Sequence, residues 1–382
     1  MTNISIIGSG LAGYLVATEV RKKLPKANIT MFTATDGAYY SKPMLSTALA
    51  QDKESSDLVM FSAAAMEKRL DMKVMAHTKV KKIDSKASTI ITEKGSSGYD
   101  SCILATGSDV ISLRLKQKID DKVFTVNSLD DYALFRENLS TGTRIAVIGS
   151  GLVGVEFAHD LAGAGYSVSI VGDAAYPLNL LVPAEIAQVL QRAMEKELKV
   201  KWHLNESVVA IEPNKDSVVL ECASGTKINA DIVLSAIGIK ANIDLAKASG
   251  IRTEQGIVVD DMCRTNYSNI YALGDCAEVA GLNLHYVPPI RKCATAIAET
   301  LAGSPTTVKY PAMPVSVKSP VCPIAACIPR TKEKLTCELT GVVPDLVARF
   351  VDDNGSLRGF GLSGSATKQK IELSQQIESW LS

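Results

Sequence analysis

Ile7-Gly8-Ser9-Gly10-Leu11-Ala12-Gly13-Tyr14-Leu15-Val16-Ala17 and Ile148-Gly149-Ser150-Gly151-Leu152-Val153-Gly154-Val155-Glu156-Phe157-Ala158 are near copies of one another. The second begins at residue 148 and the first at 7, an offset of 141. A short β-branched run precedes each copy, Ile4 to Ile7 and Ile145 to Ile148, and a helical apolar pattern follows. A second apolar run then closes each unit, Ile29 to Phe32 and Val168 to Val171. Strand, glycine turn, helix, strand, written twice, predicts a doubly wound α/β architecture. Gly8-Ser9-Gly10-Leu11-Ala12-Gly13 and Gly149-Ser150-Gly151-Leu152-Val153-Gly154 both fit the dinucleotide pattern. The first glycine permits the turn, the second lets a pyrophosphate reach the backbone, and the third lets helix pack on strand. A chain that binds one dinucleotide has no use for two such cradles.

The rest of the chain sets bounds. It has 382 residues, 46% of them hydrophobic, enough for two or three domains. Its 41 basic and 41 acidic residues cancel, so no global field draws it to nucleic acid or to an anionic membrane. No apolar run approaches the roughly 18 residues of a membrane span, and no signal-peptide pattern precedes Ile4. A cytoplasmic protein, not integral to a membrane, is expected. Eight scattered cysteines form no CxxC pair and read as incidental thiols in a reducing compartment. His77, His159, His203 and His285 read as structural or solvated, and Arg21-Lys22-Lys23 as the solvated end of a helix. No metal site is expected.

Between and after the repeats, Val74 to Ile83, Ser88 to Thr92, Ser101 to Ala105, Val200 to Ile211, Ser217 to Cys222 and Asp231 to Ile237 read as strands. Pro289 to Leu301 reads as a helix, with Gly303 past its end. The stretch 305–330 is Pro-rich and linker-like at its start. The tail reads strand, strand, helix, the helix spanning Lys368 to Trp380.

Ribose recognition predicts an acid roughly 20 residues after the glycines. In the second unit Asp173 is well placed, and no Arg or Lys between Gly172 and Val182 awaits a 2′-phosphate, so NADH is favoured over NADPH; the plain alternative is a solvated loop acid. In the first unit Thr33, followed by Ala34, stands where the acid is expected, and Asp36 lies slightly late. Tyr271-Ala272-Leu273-Gly274-Asp275 ends a strand on a glycine and an acid that could meet a ligand or cap a helix. Ala105-Thr106-Gly107 and Ala236-Ile237-Gly238 are a pair of similar strand ends.

In this order the motifs resemble the two-dinucleotide-binding-domain flavoproteins. That family includes glutathione reductase-like disulfide enzymes, Rieske-type ferredoxin reductases and rubredoxin reductases, and the likeness covers about residues 1–305. It implies two Rossmann-like domains and a small C-terminal α+β domain. The FAD domain would be discontinuous, 1–110 and 238–308, with an NAD domain at 111–237 and a C-terminal domain at 309–382. Tyr40 to Ser46, Ile270 to Glu278 and Ala312 to Lys318 look like the rubredoxin reductase branch. Disulfide reductases carry CxxxxC where Ser41 to Ser46 stands here, so electrons must leave to a separate acceptor.

The resemblance implies that FAD meets Gly8, Gly10, Lys42, Pro43, Thr106, Gly107, Gly274 and Asp275, with Val287 touching the ring and Val80 the adenine. NADH would meet Gly149, Gly151, Val153, Asp173 and Gly238. A Lys42–Glu156 pair would orient the nicotinamide, and Lys318 would approach the flavin from the third domain. The helix near Pro289 would aim its positive end at the flavin. Arg291 and Lys292 would border the docking site of an acidic rubredoxin, and an alkane hydroxylase is the implied consumer. A ferredoxin or flavo-diiron acceptor is the alternative, and an FAD- and NADH-binding redox sensor the alternative of another class. A monomer is favoured.

Overall fold

The computed structural model describes residues 2–113 and 121–381. Residues 114–120, at the start of the span expected to form the NAD domain, lie outside the described residues.

The sequence repeat is a structural repeat. The first parallel sheet runs, edge to edge, Ile270–Ala272, Ser101–Leu104, Asn3–Ile7, Asn28–Phe32, Lys73–Met75. The second runs Val123–Phe124, Ile232–Ser235, Arg144–Ile148, Ser167–Val171, Lys201–His203, also parallel. Each central strand is almost wholly buried; in the second unit Ile145 and Val147 face helix residues such as Val155 and Leu161, while Ala146 and Ile148 face Val218, Leu220 and Ile228. Each unit also carries a three-stranded antiparallel sheet, Val80–Asp84, Thr89–Thr92, Gly95–Gly98 in the first and Val208–Asn214, Ser217–Cys222, Lys227–Ala230 in the second. The chain crosses between the units twice, and the crossings pair with each other, Ser108–Val110 against Ile239–Ala241.

Helix Leu11–Lys23 packs against helix Val287–Leu301, so the first unit is closed by residues far along the chain. The third sheet is antiparallel, in the order Val315–Val317, Ile324–Cys327, Leu357–Ser363, Asp345–Val351, Thr336–Val342. Val317, Cys322 and Ile324 share a core with Val155, Leu161 and Ile186 of the second unit.

Several local readings change. Val74 to Ile83 is two strands, because His77 takes a left-handed φ of 47° between them. The stretch 305–330 is irregular at its start, as expected, and then contributes two strands of the third sheet. Thr336–Val342 carried no pattern because all seven residues are exposed on a sheet edge. The tail helix is only Lys370–Gln375, after a 3₁₀ segment Gly364–Gln369. Beyond it the Trp380 amide donates to the Tyr310 carbonyl at 2.7 Å and the Tyr310 amide to the Leu381 carbonyl at 2.7 Å, an extended pairing that ends the helix. Arg21 is not solvated: its Nε donates to the Leu70 carbonyl at 2.7 Å and its guanidinium to the Pro25 carbonyl at 2.7 Å.

All eight cysteines are free thiols, and only Cys337 is exposed. Among the described residues no helix is long and apolar enough to cross a membrane.

Candidate active site: a two-cradle cleft

One continuous cleft of about 1430 Å³ runs from the first glycine turn to the second. Every residue named above as a ligand contact lines it except Gly13, Gly154 and Gly274. Those three act in packing. A Cβ on Gly13 would collide with the Gly8 carbonyl, and one on Gly154 with the Gly149 carbonyl. A Cβ on Gly274 would come within 2.8 Å of Ala12 Cβ, so Gly274 packs closely on the first cradle.

The middle glycines differ in kind. A Cβ on Gly10 or on Gly151 would meet nothing within 4 Å. Each stands at the N-cap of its helix in extended conformation with no side chain capping the first turn. Free N–H groups and the positive helix end therefore face open space, the environment a pyrophosphate needs. Gly8 and Gly149, at φ 112° and 115°, turn the chain against the Ala105 and Ala236 carbonyls, which are matching strand ends of the two units.

The ladders correct the position of the missing acid. Thr33 N–H donates to the Met75 carbonyl at 3.2 Å and the Thr33 carbonyl accepts from Thr78 N–H at 2.7 Å. Gly172 does the same with His203, at 2.9 Å, and Glu206, at 2.8 Å. Gly172 thus corresponds to Thr33, and the exposed Asp173 to Ala34. The Thr33 hydroxyl is engaged by Ser9 Oγ at 2.8 Å and Thr35 Oγ1 at 3.0 Å. The first unit offers a hydroxyl cluster where the second offers a carboxylate.

Between the cradles, Lys42 opens the short 3₁₀ segment Lys42–Thr47. Burial pushes its ammonium pKa down, opposed by Asp275, Asp109 and Asp131. Asp275 accepts from Ser108 Oγ at 2.9 Å. Helix Val287–Leu301 begins two residues earlier than its sequence suggests, and Tyr286 at its N-cap provides no side-chain cap. Pro288 and Pro289 carry no N–H, which leaves Val287 as the donor at that helix end.

The expected Lys42–Glu156 pair is not formed. Glu156, 4% exposed, is paired with Lys318, Nζ to Oε2 2.6 Å. The same carboxylate accepts from Ser46 Oγ at 2.8 Å and from the Lys318 amide at 3.1 Å. Lys318 Nζ also donates to the Pro43 carbonyl at 2.6 Å and to Ser46 Oγ at 2.7 Å. Third domain, second unit and the Lys42–Thr47 segment thus meet at one carboxylate, which a buried carboxylate requires. Sequence reasoning passed over two partners in this junction. Ser46 is one. Asp160, one helical turn past Glu156 and 4% exposed, is the other: it accepts the Leu49 and Ala50 amides at 2.9 and 3.1 Å, and burial raises its pKa. Two acids spaced i, i+4 on a largely apolar helix were the available signal. His159, between them in sequence, accepts the Val321 amide at 3.4 Å, and burial lowers its pKa. It is structural, as expected. His285, by contrast, lines the cleft.

Two uncapped helix N-termini over open space, joined by one cleft, fit two dinucleotides. Residues 2–300 match the family described as pyridine nucleotide-disulphide oxidoreductase, and residues 307–377 a rubredoxin binding C-terminal domain. The chain belongs to the first of these families, the FAD-dependent oxidoreductases that use a pyridine dinucleotide, and its cofactors are FAD and NADH. Among its relatives, rubredoxin-NAD(+) reductase of Acinetobacter baylyi is 38% identical over 99% of this chain and 98% of its own. The nitric oxide reductase FlRd-NAD(+) reductase of Vibrio vulnificus is 32% identical over 98% and 97%. The covalent putidaredoxin reductase–putidaredoxin complex shares the fold, with a TM-score of 0.87 at 24% identity over 98% of this chain and 91% of that one.

Proposed function

We propose that this chain carries electrons from NADH through FAD to a rubredoxin in the cytoplasm, supplying a monooxygenase such as an alkane hydroxylase. The observation that carries the acceptor is the match of residues 307–377 to a rubredoxin-binding domain, together with Lys318 of that segment on the cleft wall. FAD, when bound, would accept two electrons together as one hydride and pass them on singly. The Gly10 and Gly151 helix ends hold the two pyrophosphates, and Asp275 offers a carboxylate oxygen to the FAD ribityl chain. Val287 N–H and the positive end of its helix favour negative charge where the flavin ring lies. Lys42 adds a cation on the same wall, and the Glu156–Lys318–Ser46 junction keeps its 3₁₀ segment against the second unit. Arg291 and Lys292, both exposed, border the acceptor surface.

A second reading, reduction of the rubredoxin-like centre of a flavo-diiron protein, is favoured by the Vibrio vulnificus relative. Anaerobic NADH titration of the yellow protein, followed by stopped-flow reoxidation with rubredoxin, ferredoxin and a flavo-diiron acceptor, decides. Fast reoxidation by rubredoxin alone is expected. Preference for ferredoxin, or slow reaction with every acceptor as a redox sensor would show, overturns the proposal.

Lys42→Met slows flavin reduction by NADH about tenfold or more, roughly 1.4 kcal/mol of barrier. Because burial lowers the Lys42 pKa, its charge is lost at lower pH than that of an ordinary lysine, so the wild-type rate falls early on the alkaline side. Lys42→Met removes that alkaline limb. A wild-type rate, or a limb that survives the substitution, takes Lys42 out of the mechanism.

A further inference from the structure

The register that pairs Gly172 with Thr33 also pairs Glu206 with Thr78 and Val208 with Val80. Val80 is the residue assigned to the adenine of the first nucleotide, so Glu206 belongs to the adenosine end of the second. It is knitted there by backbone. Glu206 N–H donates to the Gly172 carbonyl at 2.8 Å, and Asn205 N–H to the Ala174 carbonyl at 3.0 Å, on either side of Asp173. Gly172, Asp173, Glu206, Ser207 and Val208 share one stretch of cleft wall.

The Glu206 side chain is held as an anion. Oε1 accepts from the Ser224 hydroxyl and, at 3.2 Å, from Thr226 Oγ1, both in the turn that joins Ser217–Cys222 to Lys227–Ala230 in the antiparallel sheet of the second unit. The Ser224 hydroxyl in particular keeps its pKa below the usual carboxylate range. Among the described residues Oε2, shielded from solvent, has no hydrogen-bond partner. Among the described residues the second unit contributes no Lys or Arg to the cleft wall.

We infer that Glu206 is a second specificity-determining carboxylate beside Asp173, and that the two acids exclude a dinucleotide bearing a 2′-phosphate. One acid able to accept from a ribose hydroxyl explains affinity for NADH. A second acid, held charged at the same end, works by repulsion, the element that separates two ligands differing by one phosphate. A dianion several ångströms from a carboxylate in a wet cleft is disfavoured by about tenfold in binding. The inference rests on NADH as the donor and goes beyond it.

The test uses the FAD-loaded protein. Glu206→Gln keeps size and hydrogen bonding and removes charge. It raises the ratio of kcat/KM for NADPH to that for NADH about tenfold, through the KM for NADPH. Glu206→Asp, which keeps the charge, retains the wild-type ratio. Calorimetry gives a readout independent of turnover: 2′,5′-ADP binds Glu206→Gln about tenfold tighter than wild type, while 5′-ADP gains far less. An unchanged affinity for 2′,5′-ADP overturns the inference and leaves the NADH reading standing. A flavin that NADH never reduces, with 5′-ADP failing to bind wild type, overturns the donor assignment and the inference with it.

Discussion

Gly151→Val raises the KM for NADH about 100-fold, the equivalent of one or two charge-assisted hydrogen bonds at about 1.5–3 kcal/mol each. The FAD content and the melting temperature of the protein stay within error of wild type. The backbone at Gly151 is extended, at φ −78° and ψ −172°, which valine adopts without strain. A Cβ there meets no protein atom within 4 Å. The added side chain therefore projects only into the space where a pyrophosphate would lie on the helix end. Gly154→Ala behaves differently: its methyl drives into the Gly149 carbonyl, and the expected result is lost stability rather than selectively lost NADH affinity. Steady-state kinetics and thermal melts on the two variants separate the cases. A Gly151→Val protein with the wild-type KM for NADH means that the dinucleotide does not lie on this turn.

Lys318→Met destabilises the protein by about 1–3 kcal/mol, read as a shift in the denaturant midpoint. The lower end of that range applies if solvent screens the lysine, whose side chain is 35% exposed. What remains is the buried Glu156 carboxylate with only Ser46 Oγ and the residue-318 amide as donors. Adding Glu156→Gln removes the stranded charge and recovers most of the loss, the mark of a direct pair in a double-mutant cycle. Additive losses in the double variant refute the three-way junction.

The two nucleotide units were legible because their signals are local. A glycine that must turn, one that must leave room and one that must let a helix touch a strand sit within six residues, and the buried strands beside them are short β-branched runs. Asp173 was singled out by the same kind of local pattern, one strand beyond the second turn, and it lines the cleft. The position of its counterpart was not: Thr33 and Ala34 are neighbours, and only the parallel ladder with Lys73–Met75 shows which of them corresponds to the acid. Thr336–Val342 was silent because an exposed edge strand leaves no alternation of apolar and polar residues.

The sequence by itself determined that the chain folds as two dinucleotide cradles with a further unit behind them, since backbone sterics at glycine and the period of burial act over a few residues. Tertiary structure alone decided which lysine meets Glu156. Lys42 and Lys318 lie 114 residues before it and 162 after it, and nothing in chain spacing ranks them. The choice falls to Lys318 because the third sheet shares its core with the second unit, which brings the Lys318 amide and ammonium together onto a carboxylate that burial has deprived of water.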